Sequence, residues 1–158
     1  MKPDHPAPLP KRPAPAPKHP VPVVVLDTSV LIASFFLPLD RPCFSRDVFD
    51  FVTRVAQGVI SEYIRTEFHE KCRDKLGMSG ERIDQLMKLI LSRVTLAPAP
   101  KSLVGPKRLR DHDDLPILAL AAAVKADFLL TWDKDLLTLG KFRRTRILSP
   151  RSFWDHVR

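Results

Sequence analysis

The sequence predicts an α/β fold with a central, mainly parallel sheet that helices cover on both faces. Short apolar runs rich in valine, isoleucine and leucine alternate with longer segments whose apolar residues recur at helical spacing. Apolar runs without polar alternation are typical of strands buried on both faces, as in a parallel sheet.

The first predicted strand is the β-branched run at residues 23–26. Residues 29–37 are apolar all round, which predicts a buried helix that ends at Pro38. Residues 46–56 have apolar side chains at helical spacing and predict a second helix. The brief apolar segment 58–61 predicts the second strand.

Two helices then begin at serine residues, with Ser61 capping the first and Ser79 capping the second. Gly77 ends the first of them. Residues 94–96 predict a third strand, and residues 98–111 form a basic loop interrupted by proline.

The last third of the chain repeats the alternation. The alanine-rich segment 115–124 predicts a helix, and residues 128–131 predict the fourth strand. A short helix at 135–139 precedes a fifth strand at 146–148, and Pro150 opens a final helix.

Residues 1–22 differ from the rest in composition, because they contain nine of the 16 prolines, interleaved with alanine and lysine. Proline removes backbone donors and favours extended geometry, so we expect a disordered tail followed by one domain at 23–158. The tail is interpreted as a solvated leader, and the alternative is a tether with weak affinity for nucleic acid.

The formal net charge of +8 and the pI of about 9.9 favour a polyanionic partner such as nucleic acid. No apolar stretch reaches the roughly 18 residues needed to span a bilayer, and no secretory signal is recognisable. Cys43 and Cys72 lie outside any zinc pattern, so we expect two reduced, half-buried thiols. These features predict a cytoplasmic protein without membrane contact.

Four acids occupy informative positions. Asp27 directly follows the first strand, Asp133 follows the fourth strand by two residues, and Asp114 opens the helix after the basic loop. Ligand sites of open α/β sheets lie beyond the carboxyl ends of the strands, so Asp27 and Asp133 share a crevice if their strands are neighbours. Glu67, nearly two turns into its helix, reaches that crevice if the helix leans over it.

Converging carboxylates repel one another, and a divalent cation removes the conflict. Oxygen ligands without histidine or cysteine suit Mg²⁺ or Mn²⁺ rather than Zn²⁺. Each acid also has a purely structural interpretation: Asp27, Asp114 and Asp133 as helix caps, and Glu67 as part of a solvated helix face.

Four segments resemble the PIN-domain nucleases, in particular the VapC-like toxins of toxin–antitoxin pairs. They are VVVLDTSVLIASFF, VISEYIRTEF, RDHDDLPILALAAAVKADFLLTWDKDLL and ILSPRSF, and together they cover residues 23–154. The third segment is the most specific, because it joins an acid pair, an alanine-rich helix, a strand and a Thr-x-Asp-x-Asp-Leu motif.

The resemblance implies a three-layer α/β/α sandwich and a nuclease site that uses Mg²⁺ or Mn²⁺. Its four acids correspond in order to Asp27, Glu67, Asp114 and Asp133, with Asp113 as the alternative for the third. The groups implied to orient these carboxylates, or to assist as a further acid, are Thr28, Ser29, Thr131 and Asp135.

The implied reaction is hydrolysis of a phosphodiester in single-stranded or looped RNA, leaving a 5′-phosphate and a 3′-hydroxyl. The implied partners are RNA, a cognate antitoxin and a second copy of the chain as a homodimer. Alternatives on the same fold are an RNA-processing or repair nuclease and a non-catalytic nucleic-acid-binding domain.

Further residues of the domain at 23–158 have two interpretations each. Trp132, next to the fourth acid, either stacks on a base or packs against the protein, and we favour packing. Two basic clusters either follow the RNA backbone or are ordinary solvated loops; they consist of Lys101, Lys107, Arg108 and Arg110, and of Arg143, Arg144, Arg146 and Arg151.

Overall fold

The computed structural model describes residues 20–103, 105, 106, 109 and 112–158. The expected tail lies largely outside these residues, as do Lys107, Arg108 and Arg110. The strands of the described part form one six-stranded sheet in the order β3-β2-β1-β4-β6-β5. They are β1 (Val23–Leu26), β2 (Gln57–Ser61), β3 (Thr95–Ala97), β4 (Phe128–Leu130), β5 (Lys141–Phe142) and β6 (Thr145–Leu148).

Helices flank this sheet and give the three-layer α/β/α sandwich that was predicted. They are α1 (Thr28–Phe35), α2 (Phe44–Val55), α3 (Glu62–Asp74), α4 (Gly80–Leu91), α5 (Leu115–Ala123), α6 (Lys134–Leu139) and α7 (Pro150–Val157). A 3₁₀ turn (His112–Asp114) leads into α5. In the described part of the chain, no helix has the length and apolarity to cross a bilayer.

The sheet is parallel except at β5, which pairs antiparallel with β6. The central strands β1 and β4 are buried on both faces, as their apolar sequences predicted: Val24, Val25 and Leu26 have no exposed surface, and neither do Leu129 and Leu130. The switch in strand order falls between β1 and β4, so their carboxyl ends meet at the centre of one edge.

Serine caps begin α3 and α4 as predicted. The hydroxyl of Ser61 accepts from the backbone N–H of Ile64 at 3.3 Å, and that of Ser79 accepts from Arg82 at 3.2 Å. Because an apolar stripe faces inward from each helix, α3 packs on the core through Ile64 and Phe68. This packing directs the opposite, polar side of α3 toward solvent.

The structure corrects three expectations about the fold. The first helix ends at Phe35, because the residue before Pro38 disfavours helical geometry, and Phe36 and Leu37 are 53% and 39% exposed. Cys43 is half-buried as expected, but Cys72 is fully buried on the side of α3 that faces the core.

Strand β5 was not predicted, because its two residues form no apolar run and the turn to β6 carries no glycine or asparagine. Arg143 occupies a left-handed conformation in that turn, with φ of 52°.

Candidate functional site

The carboxyl ends of β1 and β4 bring two of the predicted acids together. Leu26 pairs with Leu130 in the sheet, and the backbone N–H of Asp27 donates to the carbonyl of Leu130 at 3.0 Å. Asp27 therefore leaves β1 beside the segment that carries Asp133 after β4. The condition set by the sequence, that the two strands be neighbours, is met.

Asp27 is 4% exposed and has a dense set of hydrogen-bond donors. Its Oδ1 accepts from the backbone N–H of Thr28 at 2.7 Å, so Asp27 is also the N-cap of α1. Its Oδ2 accepts from the hydroxyl of Ser29 at 3.1 Å and from that of Thr131 at 2.6 Å. The helix-cap interpretation therefore holds for Asp27, while its role as a metal ligand stays a prediction.

Ser29 and Thr131 extend this network to the loop after β4. The Ser29 Oγ accepts from the backbone N–H of Trp132 at 2.9 Å, and the Thr131 Oγ1 accepts from that of Asp133 at 2.9 Å. The hydroxyls of both residues thus hydrogen-bond the carboxylate of Asp27. Thr28 does so through its backbone alone, because its buried hydroxyl has no hydrogen-bond partner among the described residues.

Asp133 is half-buried and caps α6: its Oδ1 accepts from the backbone N–H groups of Asp135 at 2.9 Å and Leu136 at 3.1 Å. Asp135 is exposed and is not a lining residue of the cleft described below, so its role as a further acid stays a prediction. As the second residue of α6, Asp135 donates its backbone N–H to the carboxylate of Asp133.

The second and third acids come from α3 and from the 3₁₀ turn before α5. The side chain of Glu67 is 19% exposed, and its Oε1 lies 3.5 Å from the Nζ of Lys71, one turn along α3. Asp114 is 6% exposed. The hydroxyl of Tyr63 donates to the backbone carbonyl of Asp113 at 3.1 Å, which ties the turn to α3.

A cleft of about 390 Å³ at this edge of the sheet contains all four predicted acids. Its lining residues are Asp27, Ser29, Glu67, Lys71, Lys75, Asp113, Asp114, Ile117, Trp132 and Asp133. Four separate stretches of the chain contribute to it, which lie after β1, along α3, at the 3₁₀ turn and the start of α5, and after β4.

The residues that match the PIN-domain family are 23–135. This range spans more than two thirds of the chain and includes all four acids. The chain belongs to the PIN-domain family.

Solved structures with a similar fold share little sequence with this PIN domain. One is the crystal structure of VapBC2 from Rickettsia felis bound to a DNA fragment from its promoter, with a TM-score of 0.57 and 14% identity over 80% of this chain and 98% of that one. Another is Mycobacterium tuberculosis VapC20, described as a sarcin-ricin loop cleaving toxin, with a TM-score of 0.54 and 13% identity over 78% and 98% of the two chains. No curated protein matches this chain.

Two cleft residues of this PIN domain, Lys71 and Lys75, were missed in the sequence. They follow Glu67 at intervals of four residues, so all three share one side of α3. That spacing was visible, but the sequence did not show which side of α3 faces the acids. The two lysines place positive charge beside five carboxylates.

Electrostatics of the cleft reflect its crowding. Burial raises the pKa of Asp27, and the charge of Glu67 adds to the increase, while the hydrogen bonds from Thr131 and Ser29 oppose it. Burial also raises the pKa of Tyr63, again with a contribution from Glu67. The charges of Asp27 and Glu67 therefore interact, although the two residues come from different elements.

The acids fit Mg²⁺ or Mn²⁺ by the chemistry of their donors. Every acid of the cleft offers hard carboxylate oxygens, and no histidine or cysteine lines it. Mg²⁺ keeps several waters and needs one or two carboxylates, so it does not require a closed protein cage. Across the part of the chain that the structure describes, no three His, Cys, Asp or Glu side chains are close enough to form a preassembled cage.

Trp132 is 39% exposed and lines the cleft, so its side chain is partly covered by the protein and partly accessible from the cleft. It lies in the loop between β4 and α6, at the sheet edge where no layer of helix covers it.

The second basic cluster is split between two edges of the sheet. Arg144 pairs with Asp127 at 2.8 Å before the amino end of β4, on the edge opposite the cleft. Arg151 follows β6 at the carboxyl edge, with its guanidinium 3.9 Å from the ring centroid of Phe44. Of the four arginines in this cluster, Arg151 is therefore the one at the carboxyl edge beyond the strands.

Proposed function

We propose that this PIN domain is an endoribonuclease that uses Mg²⁺ or Mn²⁺ and hydrolyses phosphodiester bonds of RNA. The observation that carries the proposal is the shared cleft, which Asp27, Glu67, Asp114 and Asp133 all line although the sequence separates them widely. Carboxylates grouped at the carboxyl edge of a parallel sheet are costly to the fold, so a ligand that uses their charge accounts for them.

In the proposed site, the four acids would supply the oxygen ligands of the metal, and hydrogen bonds within the protein orient Asp27 and Asp133. When bound, the metal ion supplies the positive charge that activates water and stabilises the leaving oxygen. Ser29 and Thr131 fix the carboxylate of Asp27 by hydrogen bonds, so its orientation does not depend on the ligand. Asp133 is fixed in the same way by the N-terminus of α6.

Lys71 and Lys75 are proposed to contact the phosphates on either side of the cleaved bond. They lie on the same cleft as the acids, and among the described residues no carboxylate pairs with Lys75. A lysine attracts phosphate as a point charge, which positions the backbone without reading sequence. The surplus of positive charge, +8 over the chain, increases the rate of encounter with RNA.

A toxin role with a cognate antitoxin, a homodimeric state and a cytoplasmic location are also proposed. Support for the toxin role and the antitoxin comes from the two similar structures, one described as VapBC2 and the other as a toxin. If expression of the protein arrests growth and Asp27→Asn abolishes the arrest, the toxin role is supported. RNA cleavage without growth arrest supports a processing or repair nuclease instead.

The deciding experiment is cleavage of single-stranded RNA with Mg²⁺ or Mn²⁺ by the wild-type protein, Asp114→Asn and Asp84→Asn. Asp84 is a matched control, because it is an exposed acid on α4 outside the cleft. We expect Asp114→Asn to lose at least a hundredfold in rate and Asp84→Asn to remain within twofold, with products that carry a 5′-phosphate. Equal rates for all three proteins would remove the acids from the mechanism, and RNA binding without cleavage would indicate a non-catalytic domain.

A further inference from the structure

Trp132 is a large aromatic side chain exposed in a polar cleft. It lies between Thr131, which is fully buried and bonded to Asp27, and Asp133. Covering the exposed part of an indole ring is strongly favourable, so the ring offers binding energy to a ligand that enters the cleft. The residue immediately before it and the residue immediately after it both belong to the acid site.

The position of Trp132 is fixed at two points. Its backbone N–H donates to the hydroxyl of Ser29 at 2.9 Å, and its ring Nε1 donates to the hydroxyl of Ser45 at 3.3 Å. Ser45 is buried near the start of α2. The ring is therefore anchored at its polar edge, and the exposed part that remains is its apolar surface.

Trp154, the other tryptophan, shows the contrast. It is half-buried and packs edge-on against two rings, with centroid distances of 6.4 Å to Phe44 and 5.4 Å to Phe51. Its aromatic surface is used within the protein. Trp132 has no such aromatic neighbour among the described residues, since the ring pairs found there all involve other side chains.

We propose that Trp132 forms a nucleobase subsite on which an unpaired base of the substrate stacks beside the acids. This inference rests on the proposed function and deepens it by naming what the cleft recognises next to the cleaved bond. An indole ring stacks on any base, so the subsite selects unpaired nucleotides and not a sequence. A base within a duplex is covered on both faces, which excludes paired RNA from the subsite.

Intrinsic fluorescence tests the contact directly, because the chain has two tryptophans. In an Asp114→Asn background that blocks cleavage, Trp154→Phe leaves Trp132 as the reporter, and Trp132→Phe leaves Trp154. Short single-stranded RNA is added in the presence of Mg²⁺, and binding is followed separately by the anisotropy of labelled RNA. We expect strong quenching of Trp132 emission at saturation and little change for Trp154. If RNA binding saturates by anisotropy without a change in Trp132 emission, the proposed subsite is overturned.

Affinity measurements supply a second test that does not depend on fluorescence. Trp132→Ala is expected to weaken binding of single-stranded RNA by roughly tenfold, Trp132→Phe to retain most of it, and binding of duplex RNA to change little. Thermal unfolding checks that each variant is folded.

A third test removes a base of the RNA instead of the indole ring of Trp132, which gives a double-mutant cycle between base and ring. An abasic nucleotide at one position near the cleavage point is expected to weaken RNA binding by the wild-type protein roughly tenfold. The same abasic RNA should bind Trp132→Ala as tightly as intact RNA does. Equal losses in both proteins at every abasic position would overturn the subsite while leaving the nuclease proposal intact. Failure of the wild-type protein to bind or cleave any RNA would overturn the proposed function itself.

Discussion

The side-chain hydroxyl of Thr131 donates a hydrogen bond of 2.6 Å to Oδ2 of Asp27, joining residues 104 positions apart in the sequence. The same hydroxyl accepts from the backbone N–H of Asp133. Thr131 therefore connects the first and fourth acids through one buried oxygen atom, and its removal affects both.

Replacing Thr131 by valine keeps the shape of the side chain but removes this oxygen. We expect the free energy of unfolding to fall by about 2 kcal/mol, the usual loss for a buried hydrogen bond to a charged group. RNA cleavage should fall at least tenfold, because Asp27 and Asp133 lose their common anchor. Urea denaturation and initial cleavage rates measure the two effects.

Thr145 provides the matched control, since its buried hydroxyl donates to the carbonyl of Ala126 at 2.8 Å on the other edge of the sheet. Thr145→Val should lose about 1 kcal/mol of stability and keep its cleavage rate. If both valine variants lost activity in proportion to stability, the role assigned to Thr131 would be no more than structural.

Asp27→Asn tests the raised pKa of the first acid. A carboxyl with a pKa raised on folding adds stability below its unfolded value of about 3.8, and that stability is lost as the pH rises through the higher folded pKa. In metal-free buffer, the ionised form therefore destabilises the protein at neutral pH. Asparagine is neutral throughout, so Asp27→Asn should melt at a higher temperature than wild type at pH 7, while its RNA cleavage is abolished.

The melting curves of both proteins should be recorded from pH 4 to pH 8. The gain from Asp27→Asn should shrink toward acid, where the wild-type carboxyl is protonated. A difference in melting temperature that is constant with pH would show that burial does not perturb this carboxyl.

Divalent cations should stabilise the folded protein in proportion to their binding. At a concentration 100 times the dissociation constant, Mn²⁺ should add about 2.7 kcal/mol to the free energy of unfolding. Asp114→Asn should show a much smaller gain, whereas Asp84→Asn should match wild type. Calorimetric titration of Mn²⁺ measures the same difference without unfolding, and identical titrations of the three proteins would contradict a site in the cleft.

Lys71→Met removes the cation that pairs with Glu67. We expect Mn²⁺ to bind roughly fivefold more tightly, since two charges about 4 Å apart in water interact by about 1 kcal/mol. RNA should bind more weakly, with the slope of log affinity against log salt reduced by about one.

Lys88→Met is the control for this substitution, because Lys88 lines a separate groove between α3 and α4. It should change neither measurement. A reduced salt slope for Lys88→Met and an unchanged slope for Lys71→Met would move the RNA path from the acid cleft to that groove.

The sequence predicted the order of the elements apart from β5, and it placed Asp27 and Asp133 at the carboxyl ends of their strands, because both follow from simple rules. Buried strands show as apolar runs, and residues that directly follow parallel strands share an edge. Asp27 and Asp133 are such residues. Assigning Glu67 and Asp114 to the same cleft depended on the resemblance to the PIN-domain family. Their placement depends on how α3 and the 3₁₀ turn pack, which periodicity does not specify.

The features that were missed depend on tertiary packing in the same way. Lys71 and Lys75 lie on the polar side of α3, where two grooves flank the helix, and the sequence does not distinguish them. Trp132 was expected to pack because aromatic residues usually do, and the protein covers it only in part. The exposure of Phe36 was hidden by an apolar run that continues past the true end of α1.

The pairing of β1 with β4 has a consequence for the timing of activity during synthesis. These strands are neighbours in the sheet, but α1 to α5 lie between them in the chain, so the contact closes a very long loop. A nascent chain that ends before β4 has Asp27 but lacks the strand and the threonine that complete its surroundings. The four-acid cleft is thus incomplete until nearly the whole domain has been translated and the sheet has closed.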